Sequence, residues 1–420
     1  MKKIGIIGLG YVGLPLALEF SKKYSVIGYD RNFKRIEYLK KKIDINNDLQ
    51  KDEINILKNS KNLSFTSSDK DLFQCNIFIV SVPTPIYKNK DPDFRSLISA
   101  TKTISSYLKK NDLVVYESTV YPGATEEICK PILESAGFTL NKDFYIGYSP
   151  ERLSPGDPKH GLKKIIKITS GSNPHARKIV DKLYKSIIPK GTYSASSIKV
   201  AEAAKVIENI QRDVNIALIN ELAITFSKLK INTHEVLQAA ETKWNFVRFL
   251  PGLVGGHCIA VDPYYLHFKS KKEGYASRLI PMSRKINDKM SNFVVNKFLN
   301  ILKDKVLPKK KNILIMGLAY KENSSDTRNS PVFKIYKKLE KNINIQKIHI
   351  YDPLVDFNFF KKKIKIISKL KHKYDGILIT VPHDCIIKDF NKSIKKITHQ
   401  STKILDVKYA FTKKKGITPL

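Results

Sequence analysis

Four cysteines in 420 residues, at positions 75, 129, 258 and 385, are too few and too widely spaced for a disulfide framework or a paired-thiolate metal site. That scarcity points to a reducing, cytoplasmic setting. No apolar run approaches the roughly 20 residues that a membrane-spanning helix needs, so no span and no membrane partner are expected. A strand-like segment, Lys3-Ile4-Gly5-Ile6-Ile7, starts within two residues of the N-terminus, so no secretory leader is expected. Low-complexity tracts and solenoid repeats are also missing.

Acidic residues are short: 39 Asp and Glu against 75 Lys and Arg give a formal net charge of +36. Arginine is scarce too, and lysine carries nearly all the excess. The basic runs, such as Lys40-Lys41-Lys42 and Lys361-Lys362-Lys363, are short and scattered among expected helix ends and turns. A nucleic-acid surface concentrates its charge and brings arginine or aromatic readers. No specific nucleic-acid partner is therefore expected, although a general positive field favours capture of an anionic substrate.

What is present is a rhythm of short apolar runs and amphipathic stretches. Residues 4–7, 26–30, 77–82, 113–117, 144–148 and 165–170 read as strands, with a small-residue helix over 11–23. Such alternation predicts an α/β chain whose first part, 1–195, is a doubly wound parallel sheet. Over 200–229 apolar residues recur at helical spacing without Pro or Gly, which predicts one long helix in a central helical domain, 196–300. Residues 244–256 are punctuated by Pro and Gly and read as a loop, and 276–302 return to helix. Strand signals at 312–317, 347–352, 376–381 and 403–407 predict a second Rossmann-like domain over 301–420. Long apolar-striped helices between domains commonly carry subunit interfaces, so a homodimer is expected.

The turn Gly8-Leu9-Gly10-Tyr11-Val12-Gly13 follows the first strand and opens the first helix. In that context Gly8 permits the tight turn, Gly10 lets a pyrophosphate approach the backbone, and Gly13 allows close helix–strand packing. The helix N-terminus adds free N–H groups and a positive dipole end. Asp30 ends the second strand, where an acid binds the adenosine ribose hydroxyls and repels a 2′-phosphate, so NAD is expected.

Three further patterns carry chemistry. Cys258 follows Gly255-Gly256-His257 in a polar loop, with Asp262 four residues on. A dehydrogenase that only converts an alcohol to a ketone needs no thiol; one that carries an alcohol through an aldehyde to an acid can hold it as a thiohemiacetal and then a thioester. Lys205 and Asn209 lie four apart on the long helix and project from one face, suited to an alkoxide or a water. A lysine there also lowers a nearby thiol's pKa. Glu151, in Ser149-Pro150-Glu151-Arg152, sits just beyond a strand's C-terminal end, where doubly wound sheets bind ligands.

Together with Val82-Pro83-Thr84-Pro85, Glu117-Ser118-Thr119-Val120, Ala204-Lys205-Val206-Ile207-Glu208-Asn209 and Lys321-Glu322-Asn323…Asp326…Arg328-Asn329-Ser330, these motifs resemble the nucleotide-sugar 6-dehydrogenase family along essentially the whole chain. Thr242-Lys243-Trp244-Asn245-Phe246 and Asp262-Pro263-Tyr264-Tyr265 are most similar to the bacterial UDP-N-acetylglucosamine and UDP-N-acetylgalactosamine branch of surface-polysaccharide synthesis.

The resemblance implies that Cys258 is the nucleophile, that Lys205, Asn209 and Asp262 hold the oxyanion and the hydrolytic water, and that Glu151 assists thioester hydrolysis. It places Thr119 near the reacting hydroxyl and the nicotinamide. Tyr11, Val12, Arg35, Pro83, Thr84 and Arg328 join the glycines and Asp30 in the NAD set. Arg152, Arg248, Gly255 and Lys321 join Glu151, Lys205 and Asn209 toward a UDP-sugar, held by a UDP-binding C-terminal domain. Two departures stand out. Ser154-Pro155 replaces the second acid that UDP-glucose enzymes carry after the Glu151 equivalent, and Leu250 occupies the usual place of the loop arginine, found here as Arg248.

The implied reaction is four-electron oxidation of C6 of a UDP-N-acetylhexosamine. UDP-glucose, UDP-N-acetylmannosamine and GDP-mannose are alternative substrates. A two-electron β-hydroxyacid-type dehydrogenase shares the glycine turn and the Lys-x-x-x-Asn pair, but has no use for Cys258 or a second Rossmann-like domain.

Overall fold

The computed structural model describes residues 2–45, 49–152, 161–256, 259–303, 310–356, 364–411 and 414–420. The chain divides into two compact units, one of residues 1–208 with 264–276, the other of 209–263 with 277–420.

In the first unit, eight strands form one sheet: β1 (Lys3–Ile7), β2 (Ser25–Tyr29), β3 (Leu63–Thr66), β4 (Ile77–Val80), β5 (Leu113–Tyr116), β6 (Tyr145–Tyr148), β7 (Lys167–Gly171) and β8 (Thr192–Ser194). Their order is β3-β2-β1-β4-β5-β6-β7-β8. Strand order reverses between β1 and β4, the switch point where such sheets bind ligands at the strands' carboxyl ends. The central strands are buried on both faces, which is why they read as unbroken apolar runs. Helix Gly13–Ser21, whose residues are all buried, packs Leu14, Leu16, Ala17 and Leu18 into the core with Ile4, Ile6, Ile77 and Val115.

The sheet is not parallel throughout. β7 pairs antiparallel with β6, Gly147 facing Gly171, and the parallel pattern resumes from β7 to β8. A parallel neighbour needs a crossover, usually a helix. Among the described residues between β6 and β7 only one short turn, Leu162–Lys164, is helical, and the chain returns in the opposite direction.

The second unit carries β9 (Lys311–Met316), β10 (Ile345–Tyr351), β11 (Gly376–Ile379), β12 (Lys403–Asp406) and β13 (Ile417–Pro419), ordered β10-β9-β11-β12-β13 and all parallel. Its switch point lies between β9 and β11. Gly317, at φ +94°, ends β9, and a Cβ there would meet the Val381 carbonyl oxygen at 2.3 Å. Helix Leu279–Leu302 lays Met290, Val294, Val295 and Phe298 against this sheet's core.

The long helix runs Ile198–Leu229, two residues longer at its start than the periodicity suggested, and the division between units falls within it. Residues 244–256 contain no helix or strand, as their Pro and Gly content indicated. Helices Thr233–Ala240 and Asp262–Lys272 were not anticipated. Among the described residues no helix is long and apolar enough to cross a membrane, and no group of three or more potential ligands forms a metal site.

Candidate active site

The glycine turn of the first unit is shaped for a dinucleotide. Gly8 has φ +93° and donates its N–H to the Tyr29 carbonyl at 2.9 Å. A Cβ on Gly13 would lie 1.9 Å from the Gly8 oxygen and 2.3 Å from Ser81 Oγ, so only glycine fits there. A Cβ on Gly10, by contrast, would meet no protein atom within 4 Å. The helix therefore abuts the turn on one side while the backbone at Gly10 stays open on the other, where a pyrophosphate needs access. Tyr11 and Val12 continue the turn into the helix.

Asp30 lies just past β2. One carboxylate oxygen accepts the Leu9 N–H at 2.8 Å and the other accepts the Asn32 N–H at 2.9 Å, which fixes the acid against the turn. Arg35 is buried. Its Nε donates to the Leu9 carbonyl at 3.2 Å, and its guanidinium pairs with Asp44 at 2.6 Å, so it braces the same turn. The residues present fit NAD.

Beyond β4 and β5 two loops are tied together. Thr84 Oγ1 donates to the Thr119 carbonyl at 2.7 Å, and Ser118 Oγ donates to the Val82 carbonyl at 2.7 Å, with Pro83 between. Tyr265 donates its hydroxyl to the Thr84 carbonyl at 2.8 Å. Glu202 braces the next turn, its carboxylate accepting the N–H groups of Gly123 at 2.5 Å and Thr125 at 3.0 Å. Burial pushes the Glu202 carboxyl up to about 7.

Glu151 follows β6 and is buried, its N–H bonded to the Glu117 carbonyl at 3.3 Å. Arg152 pairs with Glu208 at 2.6 Å and donates to the Ile166 carbonyl. Lys205 is buried on the long helix, one turn before Asn209.

In the second unit Asn209 and Asp262, 53 residues apart, are joined: Asn209 Nδ2 donates to Asp262 Oδ2 at 2.5 Å, and both are buried. Nearby, Arg284 pairs with Asp213 at 2.5 Å, and Asn287 bonds both Asp213 and Asn220. Asn220 in turn exchanges two bonds with Gly252, anchoring the loop. Gly255 has no room for a Cβ, which would lie 2.5 Å from Pro331 and 2.8 Å from the Asn329 oxygen.

The remaining expected residues lie on loops of the second unit, Lys321 and Arg328 beside Tyr320 and Asn329, which pack on Gly255 and Gly256. Arg248 is largely exposed and pairs with Glu241 at 3.1 Å. Lys321 lies over the Tyr320 ring, 5.9 Å from its centroid, and exposed Arg328 is gripped by Asp326 at 2.6 Å. Cys258 and His257, like Ser154 and Pro155, lie outside the described residues.

The second unit repeats the first unit's logic. Asp352, at the end of β10, accepts the N–H groups of Leu318 (2.6 Å) and Ala319 (3.1 Å) as Asp30 accepts that of Leu9. His383 Nε2 donates to Asp352, and its Nδ1 accepts the Asn323 N–H at 2.7 Å. Asp352, His383 and Glu202 were missed from sequence. A strand followed by Gly317 and, later, an acid at the next strand's end was the available signal for Asp352.

Residues 2–188 match the NAD binding domain of the UDP-glucose/GDP-mannose dehydrogenase family, residues 199–289 its central domain, and residues 314–413 its UDP binding domain. The chain belongs to that family. It is an NAD-dependent nucleotide-sugar dehydrogenase. Among its relatives, UDP-N-acetyl-D-glucosamine 6-dehydrogenase of Salmonella typhi is 48% identical over 97% of this chain and 96% of its own length. The enzyme of the same name from Pseudomonas aeruginosa is 48% identical over 99% and 98%. The solved UDP-D-ManNAc dehydrogenase of Pyrococcus horikoshii superposes with a TM-score of 0.88 at 31% identity, covering 99% of this chain and 98% of that one.

Proposed function

We propose that this enzyme oxidises C6 of a UDP-N-acetylhexosamine to the carboxylate, giving the UDP-N-acetylhexosaminuronate for polysaccharide precursor synthesis. NAD, bound at the Gly8–Gly13 turn, supplies the hydride acceptor for each of two successive oxidations.

The chain's own residues do the rest. Thr119 orients the hydroxyl that reacts. Cys258, as a thiolate, adds to the intermediate aldehyde and later carries the acyl group as a thioester. Lys205 and Asn209 steady the negative oxygen, and Asp262, through Asn209, orders the attacking water. Glu151 takes that water's proton. Arg152, Gly255, Lys321 and Arg248 contact substrate, and Arg328 contacts NAD. Three working parts, 1–195, 196–300 and 301–420, serve NAD, catalysis with dimerisation, and UDP respectively.

The observation that carries this reading is the buried 2.5 Å bond between Asn209 and Asp262. A buried carboxylate is costly unless it is hydrogen-bonded or paired, and this bond holds an amide and an acid from distant parts of the chain together, the two residues that the family resemblance assigns to the oxyanion and the water. Two relatives at 48% identity bear the name UDP-N-acetyl-D-glucosamine 6-dehydrogenase, which supports the substrate class.

A homodimer fits the long helix, on which exposed Ile207, Leu218 and Leu229 recur every 11 residues and so fall along one face. A second copy covers that stripe, and light scattering on the purified protein reads the mass directly.

Substrate choice is tested with NAD and a panel of UDP-N-acetylglucosamine, UDP-N-acetylgalactosamine, UDP-N-acetylmannosamine and UDP-glucose. An unpaired buried amide costs about 1–3 kcal/mol, so an acetamido-adapted pocket discriminates roughly five- to 150-fold. kcat/KM for the gluco or galacto N-acetyl sugar is at least about tenfold above that for UDP-glucose. Equal or better use of UDP-glucose contradicts the assignment.

A further inference from the structure

A fully buried ion pair lies beneath the turn that bears Glu151. Glu117 follows β5 and Lys167 opens β7; they are 0% and 1% exposed. Lys167 Nζ donates to Glu117 Oε2 and, at 2.8 Å, to the carbonyl of Pro150. The Tyr184 hydroxyl donates to Glu117 Oε1 at 2.5 Å, and the Lys167 ammonium sits 5.4 Å from that ring's centroid. Burial alone pushes the Glu117 carboxyl up, and the lysine and the tyrosine draw it back toward the charged form.

Two charges taken out of water regain their desolvation cost only in good geometry with further hydrogen bonds, and an apolar pair of similar volume commonly stabilises a fold as well or better. Stability by itself therefore gives little reason for a buried lysine at the start of β7. What the pair does locally is specific. It closes a set of bonds around Ser149-Pro150-Glu151: the Ser149 N–H donates to Tyr116 at 2.9 Å, Ser149 Oγ to Ile168 at 2.7 Å, and the Glu151 N–H to Glu117 at 3.3 Å. The Pro150 carbonyl, which has no strand partner, is taken by Lys167. Tyr148 extends the set to the Ser118 carbonyl, next to Thr119, at 3.3 Å.

We propose that Lys167 and Glu117, backed by Tyr184, are positioning residues that hold the Pro150-Glu151 turn so that the Glu151 carboxylate is aimed for thioester hydrolysis. The inference rests on the role given to Glu151 above. In that step the water oxygen bonds to the acyl carbon and the carbon–sulfur bond breaks. Cys258 leaves as thiolate, and the water's proton passes to Glu151. No electrons pass to or from NAD. A displacement of about 1 Å in such a group is enough to cost on the order of a hundredfold in rate.

The test compares the full-length enzyme with Glu151→Gln, Lys167→Met, the double variant Glu117→Gln/Lys167→Met, and Tyr184→Phe. Lys167→Met strands a buried carboxylate and is the variant most prone to misfold. The double variant removes both charges, and Tyr184→Phe removes only a hydroxyl. With NAD and UDP-N-acetylglucosamine, pre-steady-state NADH formation, steady-state kcat and KM, and the intact mass of quenched protein are measured. The folded double variant keeps the NADH burst within about threefold, loses about tenfold or more in kcat with both KM values falling in step, so that kcat/KM changes by less than about threefold, and accumulates the acyl-enzyme; Tyr184→Phe shows the same pattern more weakly. Double-variant turnover within about twofold of the parent overturns the inference. So does a slowed NADH burst with no acyl-enzyme. If Glu151→Gln accumulates the adduct and the pair variants do not, the inference alone fails. If Glu151→Gln accumulates none, the role of Glu151 fails and takes the inference with it.

Discussion

Gly10 and Gly13 sit three residues apart in one turn, and the structure gives them opposite tasks. Replacing Gly13 with alanine puts a methyl 1.9 Å from the Gly8 oxygen and 2.3 Å from Ser81 Oγ. Backbone cannot yield as a flexible side-chain tip does, so helix Gly13–Ser21 must shift from β1. Overpacking of this kind costs about 1–3 kcal/mol. At roughly 2–4 °C per kcal/mol for a unit of this size, melting falls by several degrees. Gly10→Ala is expected to leave melting within about 2 °C, because its methyl meets no protein atom. That methyl instead occupies the space a pyrophosphate enters, and loss of one close phosphate contact, worth about 1.4 kcal/mol or more, raises the NAD Kd at least tenfold. Differential scanning fluorimetry and NAD titration by calorimetry measure both variants side by side. Normal NAD affinity in Gly10→Ala, or a melting loss in Gly10→Ala matching that of Gly13→Ala, refutes the reasoning.

Cys258→Ser keeps size but not a readily ionised nucleophile, so NAD and sugar binding persist while kcat falls by orders of magnitude; near-normal turnover would make the thiol a packing residue. Arg284→Met leaves Asp213 buried without its cation and lowers unfolding free energy by about 3–5 kcal/mol in a urea titration. Glu202, held up at about 7 by burial, binds its proton more tightly folded than unfolded. Its contribution is thus complete below about pH 4.5 and is lost as pH rises toward 7, a change of roughly 3 kcal/mol. Glu202→Gln flattens that part of the stability–pH profile, and an unaltered slope counts against the assignment. Arg248→Ala raises KM for the sugar strongly with little change in melting; an unchanged KM means that Arg248 serves only Glu241 and solvent.

The first sheet was legible because its central strands are buried on both faces and use unbroken β-branched and aromatic runs, as in Ile77–Val80 and Leu113–Tyr116. Leu63–Thr66 and Thr192–Ser194 were missed: at four and three residues each is too short for its pattern to stand out from the flanking polar segments. The reversal of β7 was invisible because direction depends on the connection, and the sequence showed only another apolar segment. Helix Asp262–Lys272 carries lysines and aromatics without a clear stripe. The glycine turn and Asp30 were readable since motif, strand and helix lie in register along the chain. Lys167 lies inside the run read as a strand but was not singled out, because its partners Glu117 and Tyr184 are 50 residues before it and 17 after, beyond any local pattern. The Asn209–Asp262 bond became visible only with the fold, although resemblance had already assigned both residues to one site.

A double oxidation at one carbon underlies every role assigned above. With limiting UDP-N-acetylglucosamine or UDP-N-acetylgalactosamine and excess NAD, NADH absorbance at the end of the reaction is compared with sugar consumed. Two NADH per sugar, a uronate product and no free aldehyde are expected. One NADH per sugar, with an aldehyde or ketone as product, would contradict double oxidation.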